Sequence, residues 1–114
     1  MNYQQAVGLV RSEYETICDS PHSEFILTNL TYDGYNYFSI CLYDKGDRVI
    51  LTDTAKTQEV FDEVTEDEWK ALCDAHGFVW QGWSIERDYN SNADVEAFIG
   101  FLCAIADLYE PIED

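Results

Sequence analysis

Positive charge is scarce in this sequence. Six Lys and Arg residues stand against 23 Asp and Glu residues, which gives a formal net charge of −17. A surface of that sign repels nucleic-acid phosphates and anionic membranes, so we expect neither direct nucleic-acid binding nor membrane binding. Solubility, adaptation to a salty cytoplasm and ordinary scatter among acidic proteins are three plain interpretations of the excess. The sharper one is that the acids face a basic surface on a protein partner.

Long apolar runs are also missing. No stretch approaches the roughly 20 apolar residues that a membrane span needs. Residues 1–5 show no basic stretch leading into an apolar core, which is not the pattern of a signal peptide. With 114 residues, of which 46% are hydrophobic, the chain is long enough for one domain with its own core. We therefore expect a single cytoplasmic domain over residues 1–114.

The sequence also lacks clustered metal ligands and catalytic motifs. The cysteines are Cys18, Cys41, Cys73 and Cys103. They are widely spaced, contain no Cys-x-x-Cys pair and fall in apolar segments, so we predict reduced, buried thiols, no metal and no cofactor. We find no nucleophile signature and no glycine-rich phosphate loop, and we assign no catalytic residue.

The strongest structural signal is the polar turn 44–47 between two runs rich in β-branched and aromatic residues. This pattern is typical of a β-hairpin. A loop with an even number of residues places Leu42 opposite Val49. It also places Ile40 opposite Leu51, so that one face of the hairpin is apolar. An odd loop mixes the two faces, and we therefore predict the even one.

Apolar spacing, caps and turn residues predict the other elements. We expect helices over residues 2–18, 66–76 and 93–109, a short helix or irregular turn over 55–64, and strands over 24–31 and 78–87. The helix 66–76 has the sharpest signals, because Thr65 and Glu68 form a capping box. Gly77 stands where a left-handed C-terminal cap belongs. Gly82 suggests a β-bulge in the last strand.

Together these elements predict an α+β fold. The expected sheet has four antiparallel strands, arranged as a three-stranded meander followed by one later strand. The N-terminal, middle and C-terminal helices are expected to pack mainly on one face of that sheet, because each carries a single apolar stripe to bury.

The hairpin also carries a resemblance. Residues 39–43 read SICLY, a short acidic turn follows, and residues 49–53 read VILTD. This order resembles a family of bacterial and phage proteins filed as domain of unknown function 1828. In that family an apolar strand ending near Tyr precedes a strand ending in Leu-Thr-Asp, and a further strand and a C-terminal helix come later. The family has no assigned activity, and its setting in phages and mobile elements implies an accessory role such as defence or counter-defence.

Acidic residues are concentrated between residues 59 and 74. We predict that six of them face solvent near one another and bind the partner, and we call them the acidic patch: Glu59, Asp62, Glu63, Glu66, Asp67 and Asp74. Spacings of three and four bring several together if the segment before the helix packs against it. Acids near residue 66 also favour the start of that helix through its dipole, so a merely solvated face is the plain alternative.

Two further motifs have alternative interpretations. Residues 88–96 carry oxygen ligands at alternate positions, as a calcium loop does, but Ala93 replaces the sharp-turn Gly. We interpret residues 90–92 as a turn that caps the last helix. Trp80 and Trp83 stand three residues apart in the predicted strand and point to opposite faces. An exposed Trp beside Tyr89 would be an interface anchor, although we favour a core or edge position.

These observations favour a non-catalytic binding or inhibitor protein of a bacterial or phage mobile element. Its expected partner is a basic protein surface, including one that normally holds nucleic acid. Two alternatives remain open: a small carboxylate-based hydrolase of unknown substrate, and a homodimer joined through an uncovered sheet face or edge. A deep pocket lined by carboxylates with perturbed pKa values would favour the enzyme.

Overall fold

The computed structural model describes residues 1–109 and shows an α+β fold with one antiparallel sheet. Along the chain the elements are α1 (Tyr3–Glu13), β1 (Glu15–Ser20), β2 (Ser23–Leu27), β3 (Ile40–Asp44), β4 (Val49–Thr52), α2 (Lys56–Val60), α3 (Glu66–His76), β5 (Val79–Trp80), β6 (Ile85–Asp88) and α4 (Asn92–Leu108). The strands lie side by side in the order β1-β2-β3-β4-β6-β5. The α+β class is confirmed, but the prediction of four strands is wrong, since the sheet has six.

The first additional strand comes from the second half of the predicted helix 2–18. α1 ends at Glu13, and Tyr14 follows it with an extended backbone at φ −129° and ψ 150°. Thr16 and Ile17 then pair with β2. Both are β-branched, which weakens a helix and suits a strand, so the helical spacing of the apolar residues was misleading here.

The second additional strand comes from the predicted strand 78–87, which is a hairpin. β5 and β6 are joined by the two-residue turn of Gly82 and Trp83, which the N–H of Gln81 closes by donating to the carbonyl of Ser84 at 2.9 Å. Gly82 has φ +86°, and a positive φ at the first central residue is what a type II′ turn requires. Gly82 therefore reverses the chain, and the predicted bulge is wrong.

The central hairpin has the predicted faces but not the predicted pairs. The N–H of Lys45 donates to the carbonyl of Arg48 at 2.9 Å. The turn therefore consists of residues 46 and 47 alone, and Leu42 lies opposite Leu51. Both predicted pairs are displaced by two residues, because Asp44 and Lys45 extend the first strand and the turn is centred one residue later than predicted. A shift of two keeps every side chain on its face, so the even loop is confirmed.

The two helices predicted in the second half of the chain, over residues 66–76 and 93–109, are confirmed. α3 spans the predicted residues, and the backbone N–H of Glu68 donates to Oγ1 of Thr65 at 3.2 Å. Gly77 ends it in the left-handed region at φ +80°. α4 begins within one residue of its predicted start and is capped by Ser91. Among the described residues, no helix combines the length and apolar character needed to cross a bilayer.

The two faces of the sheet have different neighbours. One face turns Ile26, Leu42, Leu51 and Ile85 towards the helices, and apolar side chains of all four helices join them in a single core. The opposite face carries the alternate residues of the same strands, and within residues 1–109 the helices direct their apolar side chains to the other side. This division positions the candidate site, because it leaves one side of the sheet open.

Candidate functional site

All six residues of the acidic patch are exposed, as predicted. They occupy α2, the segment that follows it and α3. Glu59 lies 3.9 Å from the ammonium group of Lys56. Asp67 and Asp74 are seven residues apart and share a face of α3, but Lys70 lies between them on the same face. A cation therefore interrupts the helical part of the patch, which the spacing of the acids alone did not reveal.

Most of the cations are already paired with carboxylates of the same chain. Five of the six Lys and Arg side chains form ion pairs of 3.9 Å or less: Arg11–Glu24, Lys45–Glu86, Arg48–Asp88, Lys56–Glu59 and Arg87–Asp94. These internal pairs neutralise the scarce positive charge. The surface charge of the described residues is therefore mainly negative.

The Arg11–Glu24 pair has a structural role. Glu24 lies on the helix side of β2 and is only 1% exposed. Arg11 of α1 donates from Nε to Oε2 at 2.9 Å and from Nη2 to Oε1 at 2.5 Å. These bonds hold the pKa of Glu24 below its ordinary value. The two-pronged contact fastens the first helix to the sheet.

Asp53 is the second buried carboxylate and the last residue of the VILTD stretch. Its Oδ1 accepts from the N–H groups of Ile85 at 2.9 Å and Ala55 at 3.1 Å, and its Oδ2 accepts from that of Thr57 at 3.3 Å. Burial raises the pKa of Asp53. Its oxygens are used by main-chain donors and only 1% of the residue is exposed, so the carboxylate acts as a structural clamp.

The backbone beside Asp53 is strained. Thr54 and Ala55 both have positive φ, at 54° and 65°, a region that a β-branched residue such as Thr rarely adopts. The bonds from Asp53 hold this conformation in place. The hydroxyl groups of Thr54 and Ser39 lie 2.9 Å apart. The strained residue thus stands at the edge of the open sheet face.

The open face carries a row of side chains that crosses every strand. The paired residues, taken from one edge of the sheet to the other, are Ile17, Phe25, Cys41, Thr52, Glu86 and Val79. A parallel row contains Tyr43 opposite Ile50. The face is therefore mainly apolar and aromatic, and Glu86 is the charged residue of the first row.

The middle of this face is a half-open hollow of about 530 Å³, which we call the sheet groove. Phe25, Cys41 and Ile50 lie along its floor, and Tyr43 and Trp83 stand at its sides. Cys41 and Ile50 are each only 3% exposed, because they lie at the bottom of the groove between the larger side chains around them. Burial raises the pKa of the Cys41 thiol to about 11, which keeps it protonated at neutral pH.

A second hollow of about 510 Å³ continues the groove towards the segment before β3. Ile17, Leu27 and Tyr37 line it, and it shares Phe25 and Thr54 with the sheet groove. Because the two hollows have lining residues in common, the apolar surface is continuous from one loop region of the sheet to the other.

A third hollow, of about 580 Å³, lies near the outer end of β6. Its charged lining includes Arg48 and Asp88, which lie 3.7 Å apart, and Arg87 and Asp94, which lie 2.9 Å apart. These groups satisfy one another. The sheet groove is the better candidate for a binding site, because its apolar side chains have no such internal partners.

Trp83 is the residue of the sheet groove that the sequence interpretation placed wrongly. It lies at the tip of the β5–β6 hairpin and is 61% exposed. Trp80 instead stacks on Trp69, with ring centroids 5.6 Å apart, at the edge of the core. The favoured core or edge position is thus correct for Trp80 and wrong for Trp83. Tyr43, and not the buried Tyr89, is the Tyr that shares the open face with it.

The stretch 88–96 is used as a helix cap, as predicted. The carboxylate of Asp94 accepts from the N–H groups of Asn90 at 2.7 Å and Ser91 at 3.1 Å, and it also binds Arg87. Within the part of the chain that the structure describes, no three His, Cys, Asp or Glu side chains are grouped as a metal ion would require. The oxygens of Asp94 therefore stabilise the start of α4.

Comparison with known proteins leaves the function to be inferred from the chain's own surface. Family models, curated proteins and solved structures all gave no match. The surface offers two features for that inference. One is the acidic patch and the other is the open, apolar face of the sheet.

Proposed function

We propose that this chain is a non-catalytic acidic binding protein that occupies a basic surface on another protein. The observation that carries the proposal is the distribution of charge. Five of only six cations are paired with carboxylates of the same chain, while the acidic patch is exposed. A surface of this kind attracts cationic partners over several ångströms and repels anionic ones.

The acidic patch is expected to steer the encounter. Exposed charges act over about 8–10 Å at physiological salt, and they change association rates more than dissociation rates. α2 and α3 present these charges together with Glu68, whose carboxylate is held by the cap at Thr65. We therefore assign the patch a role in attracting the partner, in preference to a role in holding it.

The proposed biological setting is a bacterial or phage mobile element. It is supported by the resemblance of residues 39–53 to the family described above. An acidic protein from such an element can inhibit a host protein by covering a basic site that normally receives nucleic acid, because both ligands are anionic. This is the form of inhibition that we propose.

The test is capture of partners from a bacterial lysate on immobilised protein, followed by association kinetics with each purified partner. The patch variant carries Glu63→Gln, Glu66→Gln and Asp67→Asn. A matched control removes the same charge from exposed positions elsewhere, with Glu13→Gln, Asp47→Asn and Asp107→Asn. We expect basic partners, and association with the patch variant about tenfold slower at low salt with a flatter salt dependence.

Two results would overturn the proposal. One is that the captured proteins are neutral or acidic and remain bound in about 1 M salt, where surface charges are screened. The other is that the patch variant and its matched control associate at the same rate. Thermal unfolding of both variants shows that a difference in rate does not come from loss of the fold.

A further inference from the structure

We infer that the sheet groove is the docking site for a cationic, partly apolar segment of the partner protein. The segment is short, rich in Lys or Arg, and carries at least one aliphatic or aromatic side chain. This inference rests on the proposed function. It assigns the close contact to the open sheet face and leaves the acidic patch to steer the encounter.

The open face exposes large apolar side chains along its whole length. Ile17 is 57% exposed at one end, Tyr37 is 63% exposed beside the second hollow, and Trp83 is 61% exposed at the other end. The two hollows between them share Phe25 and Thr54. A single exposed apolar residue is ordinary, but a continuous apolar surface of this kind marks an interaction site.

The size of the face sets the length of the segment. Six strands spaced about 4.8 Å apart extend about 24 Å across the sheet. About seven residues of extended chain or about four turns of helix cover that distance. A hollow of about 530 Å³ in its middle is large enough to receive one or two bulky side chains of such a segment.

The charges along the groove favour a cationic segment. Glu86 lies on β6, towards the Trp83 end, with its Oε1 3.3 Å from the ammonium group of Lys45, which also lines the groove. Asp19 is exposed at the β1 end. At the other end, Oε1 of Glu66 lies 3.8 Å from the point that a Cβ on Gly82 would occupy, which brings the acidic patch to the tip of the hairpin. A Lys or Arg side chain beside an apolar anchor can therefore pair with Asp19, while Glu66 attracts the cationic segment to the other end.

A second copy of the chain is a poor occupant of the same face. A two-fold interface places the same surface against itself, so Asp19 and Glu86 of one copy would approach those of the other. Each copy also brings a formal charge of −17. Like charges placed across an interface oppose association, whereas a basic segment relieves them.

Trp83 has the properties of an anchor. The turn that holds it is fixed by the hydrogen bond between Gln81 and Ser84 and by the positive φ of Gly82. The indole therefore stands on a defined backbone and loses little conformational entropy on binding, because it has only two rotatable bonds. Trp and Tyr side chains of this kind provide much of the energy of protein interfaces.

The inference is tested with three synthetic peptides of sixteen residues, a length that spans the face as a helix. The first combines Lys and Leu with the Leu residues on one helical face. The second replaces Leu by Ser and keeps the charge, and the third replaces Lys by Glu and keeps the apolar face. Binding is followed by Trp fluorescence and by amide shifts in two-dimensional NMR spectra of the protein.

We expect the Lys and Leu peptide to bind with one-to-one stoichiometry and to shift the amides of Phe25, Cys41 and Ile50. The Ser peptide should bind at least about tenfold more weakly, and the Glu peptide should show no binding, because the groove needs both apolar contact and positive charge. Trp83→Ser and Tyr43→Ser should each weaken the first peptide about tenfold. Tyr35→Ser is the matched control, since Tyr35 is 89% exposed and lies outside both hollows.

Each other outcome has a defined meaning. If neither Lys peptide binds the wild-type protein, the inference and the proposed function both fail. If the shifts are confined to α2 and α3, or the groove variants bind as the wild type does, the proposed function stands and the inference is wrong. A stable dimer that Trp83→Ser converts to a monomer would assign the face to a second copy and also overturn the inference. If Trp83→Ser does not fold, the binding of the Tyr43→Ser variant and the amide shifts of the wild type still show whether the peptide occupies the sheet groove.

Discussion

The backbone N–H of Ile85 donates a hydrogen bond of 2.9 Å to the side chain of Asp53, and the N–H of Asp53 donates to the carbonyl of Ile85 at 3.2 Å. The carboxylate thus takes the place of a main-chain carbonyl and extends the ladder between β4 and β6 by one step. Because its other oxygen binds the N–H of Thr57, the same residue fixes α2 to the end of the sheet.

Asp53→Ala is expected to lower the free energy of unfolding by about 3 kcal/mol or more. It leaves the buried N–H groups of Thr57 and Ile85 without their acceptor, and each unsatisfied group costs about 1–3 kcal/mol. The half-buried N–H of Ala55 loses its acceptor as well. The matched control is Asp44→Ala, which removes a carboxylate that accepts from the N–H of Gly46 in an exposed turn. Urea unfolding of both variants makes the measurement, and equal losses would contradict the clamp.

The Arg11–Glu24 pair predicts a pH dependence of stability. The folded pKa of Glu24 is depressed from the ordinary value of 4.5, so the pair stabilises the fold above that value. This stability is lost as the pH falls through the lower, folded pKa. Glu24→Gln should therefore be less stable than the wild type near pH 7, and the two should converge below pH 4.5. A difference in unfolding free energy that does not depend on pH would show that the charge of Glu24 contributes nothing.

The cap of α3 predicts the effect of Thr65→Ala. The variant loses the acceptor for the N–H of Glu68, which lies 3.2 Å from Oγ1, and should be about 1 kcal/mol less stable. Thr65→Ser keeps the hydroxyl group and should melt close to the wild type. If the Thr65→Ala and Thr65→Ser variants unfold at the same temperature, the stability of this helix comes from its packing alone.

The thiols should react in the order of their exposure. The prediction of buried thiols is wrong for Cys18, which is exposed. It is confirmed for Cys41 and Cys73, where burial raises the pKa values to about 11 and about 12. A thiol reagent at pH 8 should modify Cys18 within seconds to minutes and leave the two buried groups unreacted far longer. In denaturant all four cysteines should react. A shortfall there, or zinc bound in stoichiometric amount, would contradict the prediction of free thiols.

The sequence predicted best those elements whose signals are local. α3 was found at its correct bounds, because the cap at Thr65 and the left-handed Gly77 lie within one turn of its ends. β1 was missed because Tyr14 and Ile17 suit a helical period as well as a strand, so that the first helix was predicted to continue to residue 18. Pairing between strands resolves such an ambiguity, and no single window of sequence shows it.

The candidate site could be predicted only in part. The exposure of the acidic patch followed from composition and spacing. Gly82 followed by Trp83, between two strand-like runs, is a hairpin signal that could have placed the exposed indole. That the face containing Phe25 and Cys41 stays open could not be predicted, because it depends on where the helices pack.

The order of the strands also bears on how the chain folds. β1 to β4 pair with their neighbours in sequence, and so do β5 and β6. β4 and β6 also pair, although α2, α3 and β5 lie between them in the sequence. Bringing β4 and β6 together closes a long loop, which costs more conformational entropy than closing any of the hairpins. Contacts between residues far apart in sequence also form slowly. We expect the β4–β6 seam to assemble last and to open first. In hydrogen exchange the amide of Ile85 should then be less protected than that of Leu42, which lies between β2 and β4.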